Sequence, residues 1–158
     1  MNKFFLNLGS QPLANNYLSK FSSKQVKYNL KLYFNTQTKL VSISKRIPSK
    51  KMFNNNYPYK SSMSKTMRKS FYKLSVEIKK KFNPKLFLEI GSNDGALLTN
   101  FNKQNAIGVE PCLNLARITR KKGYTTLNMR GRAAVEAASA TAAALSLSPR
   151  AILLALAI

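Results

Sequence analysis

The stretch FLEIGSNDGALL, residues 87–98, gathers groups able to handle a charged ligand. The chain has only five acids against 27 basic residues, yet Glu89 and Asp94 fall here and Glu110 follows in AIGVEP. Gly91 and Gly95 permit backbone angles or close approaches that a side chain forbids. Between a strand and a helix, such a turn brings backbone N–H groups near a ligand. Glu110 comes about 20 residues after Glu89, the place where a carboxylate meets ribose hydroxyls in doubly wound folds. A carboxylate accepts from both hydroxyls, whereas Lys and Arg only donate. A dinucleotide loop reads Gly-x-Gly-x-x-Gly, so that a pyrophosphate rests on the helix N-terminus. This loop reads Glu-x-Gly-x-x-x-Gly with Asp94 added. The extra carboxylate repels a pyrophosphate and suits a sulfonium or ammonium group. The pattern points to a cationic, ribose-bearing cofactor such as S-adenosylmethionine. The competing reading is structural: Glu89 and Asp94 cap the loop, and Glu110 ends a strand in solvent.

An α/β alternation positions these residues. KLFLEI (85–90) is a buried strand by composition, GSNDG a loop, ALLTNFNK a short helix, and NAIGVE (105–110) a second strand. Pro111 suits the first turn of a helix through LNLARITRKK, and Gly123 suits its C-terminal cap. TTLNM starts a third strand. Such β-α-β-α order implies a parallel sheet. Upstream, Met67, Phe71, Leu74 and Ile78 mark one face of a helix. Ser61, Ser62 and Ser64 offer N-cap hydroxyls, and Asn83-Pro84 ends the helix. Residues 1–60 are irregular in pattern: LGSQPLANNYL carries turn residues, while KYNLKLYF and KLVSI form a hairpin across NTQT.

The formal charge of +22 suggests nucleic acid, an anionic membrane or a phosphorylated ligand. The lysines are scattered rather than striped on one face, which favours a solvated surface. Cys112 is the single cysteine and there is no histidine, so no intrachain disulfide and no Cys/His metal site forms within the chain. No apolar run reaches the about 18 residues of a membrane span. A cytoplasmic location is the expectation. From Gly131 to Ile158 the composition turns Ala-rich, without Lys or Asn. That tail reads as foreign to the fold.

LGSQPLANNYL, LYFNTQTKLV, YPYKSSMSKTMRKSF, LEIGSNDGALL and GVEPCLNLA stand in one order. In that order they resemble the sugar-nucleotide C-methyltransferases, a family of class I S-adenosylmethionine-dependent methyltransferases with an N-terminal zinc-binding module. The resemblance covers residues 4 to about 129. It implies a partial Rossmann-like sheet after a small β module. The division is then 1–60 zinc-module-like, 61–84 connecting helix, 85–130 the start of the cofactor domain, and 131–158 the tail. In the family, a base removes a proton beside the ketone of a keto-deoxysugar nucleotide, and the enolate carbon takes the methyl group from the sulfonium. The resemblance implies that Glu89, Gly91, Ser92, Asn93, Asp94 and Gly95 surround the methionine part of the cofactor. It implies that Glu110 holds the ribose and Pro111 shapes the adenine pocket. Tyr57, Tyr59 and Ser62 border the substrate side. No catalytic base is assigned.

The departures are specific. One zinc cysteine pair of the family would precede LGSQPLANN. The second would fall at Asn35 and Thr38, and neither side chain is a useful zinc ligand. A family histidine is missing near Ser70. Zinc is therefore expected in the family but not here. The family's later strands and C-terminal domain have no counterpart, so an inactive fragment of such an enzyme is the alternative. The expected partner is a nucleotide-sugar substrate, with no membrane; the sequence does not set an oligomeric state. A basic nucleic-acid-binding protein is the rival from another class, supported by the aromatics within KKMFNNNYPYKSSMSK. The ordered matches outweigh it, and nucleic acid is disfavoured as a partner.

Overall fold

The structure is a computed structural model, which describes residues 1–22 and 24–130, the backbone of 152–156, and positions 133, 136 and 140. The chain divides into two compact units, Met1–Phe53 and Asn54–Ile158. Tyr57, Tyr59 and Ser61 thus belong with the second unit rather than with residues 1–53.

The first unit is an antiparallel sheet in the order β1-β2-β3, with β1 at Asn2–Pro12, β2 at Lys27–Asn35 and β3 at Val41–Ile43. A one-turn helix, α1 (Ser49–Met52), follows. The β2–β3 hairpin is the expected one, with Leu32 opposite Ile43 and Phe34 opposite Val41. The strand β1 differs from the irregular segment anticipated. Its Gly and Pro do not break it, because the pairing with β2 shifts register between Asn7 and Ser10 and Pro12 is the last residue of the strand. Gly9 sits in that shift at φ +71, its N–H donating to Asn7 Oδ1 at 3.0 Å. A bulge on an edge strand tolerates both residue types.

The β2–β3 turn is closed by an amide side chain. Asn35 Oδ1 accepts from the N–H groups of Gln37 at 3.0 Å and Thr38 at 2.9 Å, while Asn35 N–H donates to Leu40 O at 2.8 Å. Lys39 takes the left-handed conformation at φ +60. Among the described residues, no group of three or more His, Cys, Asp or Glu is arranged to hold a metal ion. Elemental analysis of the purified protein is expected to find no stoichiometric zinc, and a chelator to leave its melting curve in place. Asn35→Ala should cost about 1 kcal/mol by freeing two turn N–H groups. Melting that falls on adding chelator contradicts this account.

The second unit begins with a 3₁₀ turn at Ser61–Met63 and helix α2 (Lys65–Phe82). Ser64 caps α2 by accepting from Met67 N–H at 3.2 Å, and Asn83 ends it in the left-handed conformation at φ +40. Lys79, Lys80 and Lys81 fill its last turn, where cations complement the helix dipole. Of the expected apolar stripe, Ile78 is buried and Phe71 packs on the core, but Leu74 is 40% exposed. Ser75 is the buried residue at that level, its hydroxyl returned to Tyr72 O at 2.7 Å.

A four-stranded, all-parallel sheet follows in the order β6-β5-β4-β7. Its strands are β4 (Leu86–Ile90), β5 (Ala106–Val109), β6 (Thr125–Leu127) and β7 (Ile152–Leu156). Helix α3 (Leu113–Lys121) joins β5 to β6, and Gly123 follows it at φ +86. The expected helix over ALLTNFNK is absent. Two 3₁₀ turns, Leu98–Asn100 and Lys103–Asn105, make that connection. The asparagines explain this: Asn100 donates to Ala96 O and Leu97 O, and Asn102 Oδ1 accepts from Gln104 N–H. Such local side-chain bonds compete with a helix ladder. Ile78, Phe87, Leu97, Leu98, Phe101, Ala106 and Tyr124 form the core on one side, with the Phe87 and Phe101 rings stacked at 3.7 Å.

The tail also departs from expectation at one point. Residues 152–156 pair in parallel with β4, Leu88 opposite Leu154, so these five residues belong to the sheet. The rest of the tail expectation lies largely outside the described residues. Among them, no helix is long and apolar enough to cross a membrane.

Candidate functional site

The strand order places β4 between neighbours reached in opposite directions, β5 on one side and β7 on the other. In parallel sheets, ligands settle at the carboxyl ends of strands where the order reverses in this way. The loop Gly91–Gly95 leaves β4 at that end. Gly91 and Ser92 N–H groups both donate to Val109 O, at 2.8 and 3.1 Å, folding the loop over the end of β5. Gly91 (φ +77) and Asn93 (φ +49) make the bend in left-handed backbone.

Three carboxylates are buried here: Glu89 is 1% exposed, Asp94 2% and Glu110 4%. Each has a different environment. Glu110 accepts from Asn93 N–H through Oε2 and from Cys112 N–H through Oε1, both at 2.7 Å. It ties the loop to the start of α3 rather than ending a strand in solvent. Each oxygen has two acceptor lone pairs, so capacity remains for ribose hydroxyls. Burial, reinforced by the Glu110 carboxylate, pushes the Cys112 thiol up to about 12, which leaves it an inert thiol.

Asp94 directs both oxygens at Ser62. Oδ1 accepts from Ser62 N–H at 3.2 Å and Oδ2 from the Ser62 hydroxyl. Beside it, Asn93 Oδ1 accepts from Ser61 N–H at 2.9 Å, and Asn93 Nδ2 donates to Tyr59 O at 3.3 Å. Arg68 holds Ser62 O from the first turn of α2. The structure therefore ties Tyr59 and Ser62 to the loop, and Tyr57 to α3, through its carbonyl, which accepts from Asn114 Nδ2 at 2.8 Å. Asp94 is a latch for this segment; it does not face open space.

Glu89 has no such partner for one oxygen. Glu89 Oε2, Ser92 Oγ and Asn114 Oδ1 are buried atoms without a hydrogen-bond partner. Burial raises the Glu89 carboxyl to about 8; the Leu98 backbone amide opposes this, and the charges of Glu110 and Asp94 add to it. Glu89 is therefore protonated at neutral pH. A cation brought beside it reverses the main cause and favours the carboxylate. An unpaired buried acid of this kind is suited to a positively charged partner.

Gly95 has both the left-handed backbone, φ +83, and the close approach expected of it, and the neighbour it admits is α3. A Cβ added there meets Thr119 Cγ2 at 2.6 Å, so its missing side chain admits α3. Pro111 precedes α3 without entering it, and its carbonyl accepts from Asn128 Nδ2 at 3.0 Å. Sequence reasoning missed Asn114, Ser61 and Lys122, whose ammonium donates to Asp94 O at 3.0 Å. Ser61 and Asn114 fall within YPYKSSMSKTMRKSF and GVEPCLNLA, yet only the folded neighbourhood shows these contacts. A scan against protein-family models finds no match, and a search of curated proteins finds no significant relative.

Proposed function

We propose that the unit Asn54–Ile158 carries the cofactor half of a class I S-adenosylmethionine-dependent methyltransferase, of the kind that methylates a carbon of a keto-deoxysugar nucleotide. The observation that carries this reading is the Glu89 carboxyl, buried with an unpartnered oxygen at the start of a glycine-bearing loop. A pyrophosphate cofactor gains nothing from such an acid, whereas a sulfonium or ammonium group does.

When bound, the cofactor supplies an electrophilic methyl group. The chain's own residues bind and orient it. Glu89 balances its positive charge, and Ser92 Oγ and Asn114 Oδ1 offer the neighbouring polar contacts. Glu110 accepts from ribose hydroxyls while still holding the N–H groups of Asn93 and Cys112. The loop Gly91–Gly95 forms the floor. The Tyr57–Ser62 segment, latched by Asn93 and Asp94, borders the side from which a substrate approaches.

Glu89 also predicts a proton balance. Because its carboxyl sits near 8 without ligand, a cation that needs the carboxylate displaces a proton at pH 7. Affinity then rises with pH up to about 8 and levels off. Titration calorimetry at pH 7, in two buffers of different ionisation enthalpy, should show proton release on binding S-adenosylmethionine. S-adenosylhomocysteine, with a neutral sulfur, should release fewer protons. Glu110→Ala should weaken binding ten- to hundredfold, from the loss of about 1.5–3 kcal/mol of hydrogen bonding to a charged group. No binding at millimolar cofactor, or binding untouched by Glu110→Ala, rejects the assignment.

A further inference from the structure

We propose that the polar face of the β1–β2–β3 sheet is a binding surface for single-stranded nucleic acid. Strand alternation puts Lys27, Asn29, Lys31 and Tyr33 of β2 on one face, and Leu30, Leu32 and Phe34 on the other. On the first face a cavity of about 470 Å³ is lined by Lys27, Lys31 and Tyr33, with Lys45 entering from beyond β3. Phe4 of β1 pairs opposite Tyr33, their rings edge to face at 6.0 Å, and Phe4 remains 60% exposed. No Asp or Glu precedes Glu77 in the chain. The lysines of this unit therefore have no carboxylate side chain within it to pair with. Lysines that face no carboxylate of their own unit, such as Lys27, Lys31 and Lys45, are suited to exchange counterions for a polyanion.

Shape and spacing choose the ligand. A duplex is read by elements that protrude into a groove, whereas this surface is concave. Lys27 and Lys31 are four residues apart on one strand, roughly 13 Å. Cations set out along a strand in this way suit the successive phosphates of a run of nucleotides. An exposed Phe4 and a half-buried Tyr33 beside a basic groove make the combination by which single strands are held, phosphates on the cations and bases stacked on the aromatics.

The test is fluorescence anisotropy of a labelled 15-nucleotide oligo(dT) titrated with the full chain over a salt series. Three phosphate contacts on a single strand give a slope of about −2 in log K against log salt. The triple variant Lys27→Ala, Lys31→Ala, Lys45→Ala should flatten that slope and weaken binding at least tenfold. Replacing Lys79, Lys80 and Lys81 by Ala should do neither. Tyr33→Ala should weaken binding roughly tenfold with little change of slope. The lysines are surface groups, so their variants test the surface even if Tyr33→Ala unfolds. A triple variant that binds like the parent overturns the proposal, as does a 15-base-pair duplex binding as tightly as the single strand. A free nucleoside diphosphate that displaces the oligonucleotide at equal phosphate concentration also overturns it, and makes the cavity a small-ligand site.

Discussion

Glu89→Gln is expected to stabilise the protein strongly at pH 8.5 and hardly at all at pH 5. The folded carboxyl titrates near 8 against an ordinary value of 4.5, because burial disfavours its charge. A folded value above the unfolded one means stability is fullest below about 4.5. It is lost progressively as the pH rises towards 8, and changes no further beyond. Gln resembles the protonated acid at every pH and escapes that loss. The gap corresponds to a few kcal/mol, on the order of 3–5, or roughly 10 °C in melting temperature for a chain of this size. Differential scanning calorimetry of both proteins at the two pH values measures it. An equal gain at both pH values would mean that packing, not ionisation, is responsible. Glu89 is thus a residue whose retention costs stability at neutral pH, as groups kept for a ligand do. The same substitution should abolish the proton release described above.

Gly95→Val is expected to be among the most damaging single changes in the chain. Gly95 stands at φ +83, which a β-branched residue strongly resists. Its Cβ would also lie 2.6 Å from Thr119 Cγ2. Thr119 has little room to yield: it is fully buried and its hydroxyl bonds Ala116 O and Thr126 Oγ1 at 2.9 and 2.7 Å. Backbone strain and overpacking together cost about 3 kcal/mol or more. A cycle separates the two. Thr119→Ser deletes the offending methyl group and keeps the hydroxyl, so Gly95→Ala should cost less in that background by about 1 kcal/mol. Equal costs in both backgrounds would leave the clash with α3 without effect and assign the whole loss to backbone conformation. Urea denaturation of the four proteins decides it.

The parts of the fold legible in the sequence are those fixed by local chemistry. LFLEI and AIGV are apolar runs bounded by turn residues, and they pair in parallel, Phe87 opposite Ala106. Ser64 and Asn83 bound α2 because a hydroxyl cap and a left-handed terminus are local events. What stayed hidden depends on distant partners. The segment after β4 has helical apolar spacing, but its asparagines bond their own neighbourhood instead. Leu74 fits a helical stripe, yet the stripe meets the core only at Phe71 and Ile78. At the site, the crowding of three acids in a basic chain marked the loop, but not their burial. Nor were their separate environments marked, because Ser62 lies 32 residues before Asp94 and Asn114 lies 57 residues after Tyr57. Gly95 was legible as a constrained position but not for the right neighbour, since Thr119 becomes adjacent only when α3 docks.

The strand order has a kinetic consequence. β4, β5 and β6 are consecutive in the chain, and all three lie within residues 86–127. Their pairing closes short loops and can proceed early. β7 joins β4 only after residues 128–151 have been spanned. That closure carries a larger entropy cost and gains a single shared edge. The β4–β7 pairing is accordingly expected to form last and to open first. In hydrogen exchange, amides held only by that edge should trade with solvent ahead of those between β4 and β5. The carboxyl end of β4, where the loop begins, thus borders the least persistent seam of the sheet.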